Sequence, residues 1–169
     1  MTIGTGCAKV TIDAVVDDGF AGRFDRLAVV LAESPGVTDR LYLKAQESLS
    51  SEFAARANEG RVFIKPELTL DDVAFDREVA ALAPDGVLVM RITAQTVDQY
   101  GSMLDATWQA SLSPASSDRV IWRAHIHDTS LKFGLTQKKL AETMFAEFED
   151  RGYVGPRIEP AIESSAASE

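Results

Sequence analysis

With 169 residues, of which 46% are hydrophobic and 25% charged, the chain fits one domain with one core, and this composition excludes a disordered or fibrous protein. Its formal net charge of −9 disfavours nucleic acid and acidic lipid surfaces as partners, because both present phosphate groups that Lys and Arg must meet. No apolar run approaches the roughly 18 residues that cross a bilayer, and the single cysteine excludes an intramolecular disulfide and a Cys-x-x-Cys pair.

The first part of the chain predicts two strands and a long helix. Apolar residues at every second position of residues 10–16 are typical of a half-buried strand that forms an exposed sheet edge. Residues 27–32 are continuously apolar, which predicts a central strand covered on both faces. From about residue 38 to 58, apolar residues recur every four positions, so we expect a helix with Arg56 on its outer side.

The rest of the chain predicts a strand and a helix, then three strands and a last helix. The ranges are 61–65 for the strand, 71–82 for the helix, 87–97, 107–112 and 120–127 for the three strands, and 136–151 for the last helix. Short turns separate the three strands, so we interpret them as an antiparallel meander. In the first of these strands Leu88, Met90, Ile92 and Ala94 are expected to share one face, opposite Val89, Arg91 and Thr93.

Together these patterns predict a single α+β domain with a mixed sheet of five or six strands packed with two or three helices. The domain is expected to span residues 9–154. Residues 1–8 are interpreted as a truncated signal and anchor segment with a linker, and residues 155–169, rich in Pro, Ser, Ala and Glu, as a flexible tail.

Cys7 follows the small residues of Gly4-Thr-Gly6 and precedes the first predicted strand by a few positions. Bacterial lipoprotein signals end in this way, with the cysteine taking the lipid, so Cys7 is a candidate lipid anchor. The alternative is an ordinary thiol near the start of the chain.

His125 and His127 are two positions apart on a predicted strand, so both face the same side, and Asp128 follows them. Two imidazoles on one face are a candidate metal site, although zinc takes three or four protein ligands. The alternative is that both histidines are solvent-facing strand residues. On the same meander Arg91, Arg123 and the carboxylates of Asp98 and Asp105 are expected to form a polar face. Paired carboxylates can act as acid and base in catalysis, but we prefer cross-strand ion pairs on a solvent-exposed sheet face.

The loop between the first two meander strands carries Tyr100, Met103 and Leu104 at the tip of a long hairpin. Apolar side chains at such a tip often contact partners, so these three are candidate partner-binding residues. The alternative is that Met103 or Leu104 begins the next strand.

Several loose motifs follow this order of elements. They are Cys7, Asp17-Asp18, the segment Phe20 to Arg26, Arg119-Val-Ile-Trp122-Arg123 in the meander, and a closing Phe148-Glu-Asp-Arg-Gly152-Tyr-Val. From Cys7 to Val154 the chain resembles small Gram-negative envelope lipoproteins of unknown function. Their α/β domain is similar in layout to the amino-terminal domain of the Tol-Pal translocation protein, the outer-membrane activators of peptidoglycan synthases and the curli secretion lipoprotein.

The resemblance implies a non-enzymatic domain in the periplasm, held on the outer membrane only through a lipid at Cys7, that binds another envelope protein or helps assemble one. It implies no cofactor and no catalytic residue. Two other interpretations stay open: a metal-dependent hydrolase or other enzyme that uses His125 and His127, and an intracellular binding domain in which Cys7 has no role. The sequence does not determine the oligomeric state.

Overall fold

The structure, a computed structural model, describes residues 9–56, 58–68, 71–100, 103–129 and 135–158. In chain order the elements are β1 (Lys9–Val16), β2 (Arg26–Ala32), α1 (Asp39–Arg56), β3 (Glu59–Lys65), α2 (Asp72–Ala81), β4 (Gly86–Val97), β5 (Met103–Pro114), β6 (Trp122–Thr129) and α3 (Leu135–Asp150). Within the described residues, six strands and three helices form one α+β domain, which confirms the predicted fold class.

The strands form one mixed sheet in the order β1-β6-β5-β4-β2-β3. The strand β2 runs parallel to both β3 and β4, and all other pairs are antiparallel. The predicted meander is therefore confirmed as β4, β5 and β6. The strand β2 is buried from Leu27 to Leu31, as its continuous apolar run predicts, and β1 lies at one edge of the sheet.

The core lies between one face of the sheet and the helices α1 and α3, which pack against each other. Its largest fully buried side chains include Trp108, Trp122 and Tyr42. Trp122 stands edge-on to Phe148 of α3 with ring centroids 4.9 Å apart, a geometry that aromatic pairs favour. The layer of α1 and α3 therefore covers one face of the sheet and leaves the other to α2.

Two predicted side-chain directions are wrong. Arg56 is 5% exposed, because its guanidinium is buried between α1 and α3, where it pairs with Glu52 and Glu149. Ala94 is exposed, because a β-bulge shifts the register between Ile92 and Ala94. An extra residue in one strand turns the side chains that follow it onto the opposite face.

Candidate functional site: the uncovered face of the sheet

The face of the sheet opposite α1 and α3 carries polar side chains on four neighbouring strands. In one register row, Asp13 of β1 lies beside His125 of β6, which lies beside Gln109 of β5, which lies beside Arg91 of β4. Because side chains of a strand alternate between faces, this row and every second row from it face outward. We call the surface formed by the outward residues of β1, β6, β5 and β4 the open face.

His125 and His127 both lie on the open face and are exposed, so the prediction that they share a side is confirmed. The Nδ1 atom of His127 is 3.1 Å from the Oγ1 atom of Thr107 on β5, and His125 has Asp13 as its cross-strand neighbour. Across the ranges that the structure describes, no three His, Cys, Asp or Glu side chains come together as metal ligands.

Asp128, which the sequence analysis places beside the two histidines, lies on the other face of β6. It is 4% exposed between the cross-strand neighbours Val10 and Ala106, and its Oδ1 atom has no hydrogen-bond partner among the described residues. Burial raises the pKa of this carboxyl from its ordinary value of 3.8 to about 6. The alternation of side chains along the predicted strand was the signal that could have placed Asp128 inward.

Arg91 and Arg123 lie on the open face, as expected, but the predicted ion pairs with Asp98 and Asp105 do not form there. The Nη2 atom of Arg91 donates instead to Oε1 of Gln109 at 2.9 Å, a neutral acceptor. Asp105 accepts from Oγ1 of Thr96 at 3.1 Å and lies four residues along β5 from Gln109, a separation of about 13 Å in an extended strand.

A groove of about 800 Å³ opens between α2 and the open face. The floor consists of outward residues of β2 and β4, including Val30, Val87 and Val89, and the side chains of Phe75 and Val79 on α2 form one wall. The end of the groove toward β5 and β6, which we call the meander end, is polar and contains Arg91, Arg123, Gln109 and Ser111. Sequence reasoning missed this groove because a helical pattern does not give the distance between a helix and a sheet.

Two ion pairs join α2 to β3 at the side of the groove. The Nζ atom of Lys65 is 2.8 Å from Oδ1 of Asp72, and the Nη2 atom of Arg61 is 2.9 Å from Oε1 of Glu78. The hydrogen bond to Asp72 raises the pKa of Lys65. Because these charges are partly exposed, each pair contributes little to stability but fixes where the helix lies.

The tip of the β4–β5 hairpin holds Tyr100, whose side chain is 84% exposed and whose backbone N–H donates to Oδ1 of Asp98 at 2.8 Å. Met103 is the first residue of β5, and both Met103 and Leu104 are half-buried, so the alternative in which the strand begins there is correct. Whether these residues bind a partner stays a prediction. Cys7 and most of the expected tail, residues 159–169, lie outside the described residues.

No protein-family model matches the sequence, and no curated protein matches it. Among solved structures, the PelC dodecamer from Paraburkholderia phytofirmans is similar with a TM-score of 0.51 and 15% sequence identity, over 88% of this chain and 100% of the PelC chain. This chain shares its fold with PelC. A variant of the same PelC in a second crystal form gives the same values.

The hypothetical protein CT253 from Chlamydia trachomatis also matches, with 13% identity and a TM-score of 0.45, over 75% of this chain and 97% of that one. At these identities the likeness to PelC is one of fold. None of the helices in the described ranges is both long and apolar enough to cross a membrane.

Proposed function

We propose that this protein is a non-enzymatic lipoprotein of the bacterial envelope, tethered to the outer membrane through Cys7, which works as a self-assembling module. The observation that carries the proposal is the likeness to a dodecamer over the full length of the PelC chain. The resemblance of the motif order to envelope lipoproteins supports the location, and a lipid on Cys7 would supply the only membrane contact.

The edges of the sheet support self-assembly. Among the described residues, β1 pairs only with β6, and β3 pairs only with β2, so each has one side without a strand neighbour. Unpaired edge strands are templates for pairing with another chain. Because the two edges differ, contact between β1 of one copy and β3 of the next is head-to-tail, and such contacts close into rings when the rotation between copies permits.

Self-assembly is tested by measuring the mass of the full chain with light scattering after size exclusion. We expect a defined multiple of the 18.3 kDa chain. Val15→Lys places a charge on the β1 edge, where the side chain is 77% exposed, and should produce monomers because edge charges block strand addition. The matched control is Leu43→Lys on α1, at a side chain that is 56% exposed and lies on neither edge strand. Monomers of the wild-type chain at every concentration would refute self-assembly.

The tether is tested by expressing the natural open reading frame in a Gram-negative host and fractionating the envelope. We expect the wild type with the outer membrane and Cys7→Ser in the soluble periplasmic fraction. Wild-type protein that stays in the cytoplasm would exclude the lipoprotein interpretation, whatever the oligomeric state.

We further propose that Tyr100, Met103 and Leu104 at the hairpin tip contact an envelope partner. Tyr100 is 84% exposed and Val97 beside it is 51% exposed, so the tip presents apolar surface to solvent. A photo-crosslinking residue at position 100 should capture a discrete envelope protein in cells. The same residue at position 68, where Leu68 is 91% exposed, is the control, and equal products from both positions would refute the tip as a binding site.

The rival interpretation is a metal-dependent enzyme that uses His125 and His127. Equilibrium dialysis of the full chain with zinc distinguishes the two proposals. Stoichiometric zinc that is lost in His127→Ala would favour the enzyme and contradict the assembly module.

A further inference from the structure

We propose that the groove between α2 and the open face binds a single-chain acyl carboxylate, with its hydrocarbon tail beneath α2 and its carboxylate at Arg91 and Arg123. This inference stands on the groove alone and goes beyond the proposed assembly role, since it holds for a monomer or a ring.

The first observation concerns α2, whose Phe75 packs edge-on against Phe63 of β3 while Phe75 and Val79 stay only half-buried. No residue of this helix is buried, although Phe75, Val79 and Ala80 line the groove opposite Val30 and Val89. A helix ordinarily gains its stability by burying one apolar face. Val30 is 6% exposed, but Val89 is 39% exposed, so part of the apolar surface of the helix and of the sheet is left available to a third, apolar body.

The second observation concerns charge. Arg91 and Arg123 line the meander end of the same groove. Within the described residues neither arginine forms an ion pair, and Arg91 donates to the neutral Gln109. In a chain with a net charge of −9, two cations without acidic partners at one end of a groove are complementary to an anion. Guanidinium groups bind carboxylates through paired, charge-assisted hydrogen bonds.

The third observation favours a hydrocarbon tail over a peptide as the occupant of the groove. The part of the groove beneath α2 is lined by Val30, Val79, Val87, Ala83 and Pro84, and these side chains offer no hydrogen bonds. A peptide lying there would leave its backbone N–H and C=O groups without partners, which costs about 1 to 3 kcal/mol for each group. A hydrocarbon chain carries no such cost.

The dimensions agree with this occupant. A volume of about 800 Å³ lies in the range of roughly 300 to 1,000 Å³ that is typical of small-molecule sites. Asp76 on the groove wall lies near Lys65, which already pairs with Asp72, so the α2 side of the groove carries no free cation to attract an anion. The two arginines thus leave the meander end as the place for the anionic head.

The test is isothermal titration calorimetry of the full chain with dodecanoate below its micelle concentration. We expect binding of one dodecanoate per chain. Butyrate, which keeps the head and lacks the tail, and dodecyl maltoside, which keeps the tail and lacks the charge, should both bind far more weakly. If butyrate binds as tightly as dodecanoate, the tail site beneath α2 is refuted.

Substitutions test which residues bind the carboxylate of dodecanoate and which contact its hydrocarbon tail. Arg91→Ala and Arg123→Ala should each weaken dodecanoate binding about tenfold or more, because a hydrogen bond to a charged group usually contributes that much affinity. Arg123→Lys, which keeps the charge, should bind more tightly than Arg123→Ala. Val89→Trp, at a position that is 39% exposed on the groove floor, should block the tail. The matched control is Arg40→Ala on α1, an exposed arginine on the other side of the sheet, which should bind like the wild type.

Because all substituted side chains on the open face are exposed, unchanged urea unfolding midpoints are expected and checked for each variant. Equal dodecanoate affinity in the wild type and both arginine variants would overturn the proposal. So would binding to vesicles that contain phosphatidylglycerol without any binding of free dodecanoate, because a membrane surface would then be the occupant. If instead Val89→Trp and Arg123→Ala dissociate an oligomer and dodecanoate does not bind, a second copy covers the groove.

Discussion

Replacing Asp128 by Asn is expected to stabilise the protein at neutral pH. The side chain is 4% exposed and its Oδ1 atom has no described hydrogen-bond partner, so ionisation is penalised by burial and the pKa rises to about 6. Relative to an ordinary value of 3.8, the shift of about two pH units corresponds to about 3 kcal/mol of unfolding free energy. Asn never ionises, and it occupies nearly the same volume.

The sign follows from proton binding. Between about pH 4 and 6 the folded protein holds a proton on Asp128 that the unfolded chain has already released, so this group lowers the free energy of unfolding as pH rises through that window. Well above pH 6 Asp128 is ionised in both states, and the full loss of unfolding free energy is present. The advantage of Asp128→Asn should therefore be smallest near pH 4 and largest at pH 7.5, where about 1 to 3 kcal/mol is expected after the cost of burying an amide.

Urea unfolding of the two proteins at several pH values measures this advantage directly, because the other titrating groups cancel in the difference. Dilute protein is needed, since the isoelectric point of about 4.7 falls inside the window. Asp13→Asn, an exposed position on the open face, is the control and should change the unfolding free energy at pH 7.5 by less than about 0.5 kcal/mol. A difference between wild type and Asp128→Asn that is flat from pH 4 to 7.5 would refute the reasoning.

Three further substitutions test the packing that shapes the two faces of the sheet. Arg56→Ala should lower the unfolding free energy by about 3 kcal/mol, because it leaves the 3% exposed Glu52 without its main partner. Asp85→Ala should cost about 1 to 2 kcal/mol, because its carboxylate accepts the backbone N–H groups of residues 25 and 26 at 2.8 and 3.0 Å and joins the start of β2 to the turn before β4. Gly60→Ala should cost about 1 to 3 kcal/mol, because a Cβ atom there would lie 2.4 Å from the ring of Phe53 on α1.

Each of these three effects has its own control, measured by urea unfolding at pH 7.5. Arg40→Ala on the surface of α1 should leave stability unchanged, and an equal loss in Arg56→Ala and Arg40→Ala would contradict a buried ion pair. Asp118→Ala is an exposed control for Asp85. For Gly60, the double variant Gly60→Ala/Phe53→Leu removes the contacting ring and should lose less unfolding free energy than the sum of the two single variants. Additive losses would show that the Cβ atom at position 60 does not meet the ring of Phe53.

The elements of this fold were predictable because each rests on a local pattern. The alternation in β1, the apolar run of β2 and the periodic helices α1 and α3 lie where the sequence predicts them. The β4–β5 hairpin is tighter than the predicted strand range 107–112 indicates: β5 begins at Met103, as the alternative for Met103 and Leu104 predicts. The bulge at residue 93 turned Ala94 outward, because register depends on the partner strand and not on the strand itself.

The functional surface was only half predictable. The sequence placed His125, His127, Arg91 and Arg123 on one face correctly, since a period of two fixes which residues share a side. It could not show that Arg91 pairs with Gln109 and not with a carboxylate. Which residues meet across strands depends on strand order, and the order β1-β6-β5-β4-β2-β3 is a long-range property.

The sequence by itself therefore determined the class of the fold, the strand faces and the acidic charge of the chain, because composition and periodicity are local. Only the tertiary structure decided that Arg56 and Asp128 are buried, and that α2 stands beside the sheet with no fully buried residue. These features depend on how far apart packed elements lie. That distance is set by contacts such as that of Phe53 with Phe145, far away in the chain, which no local pattern records.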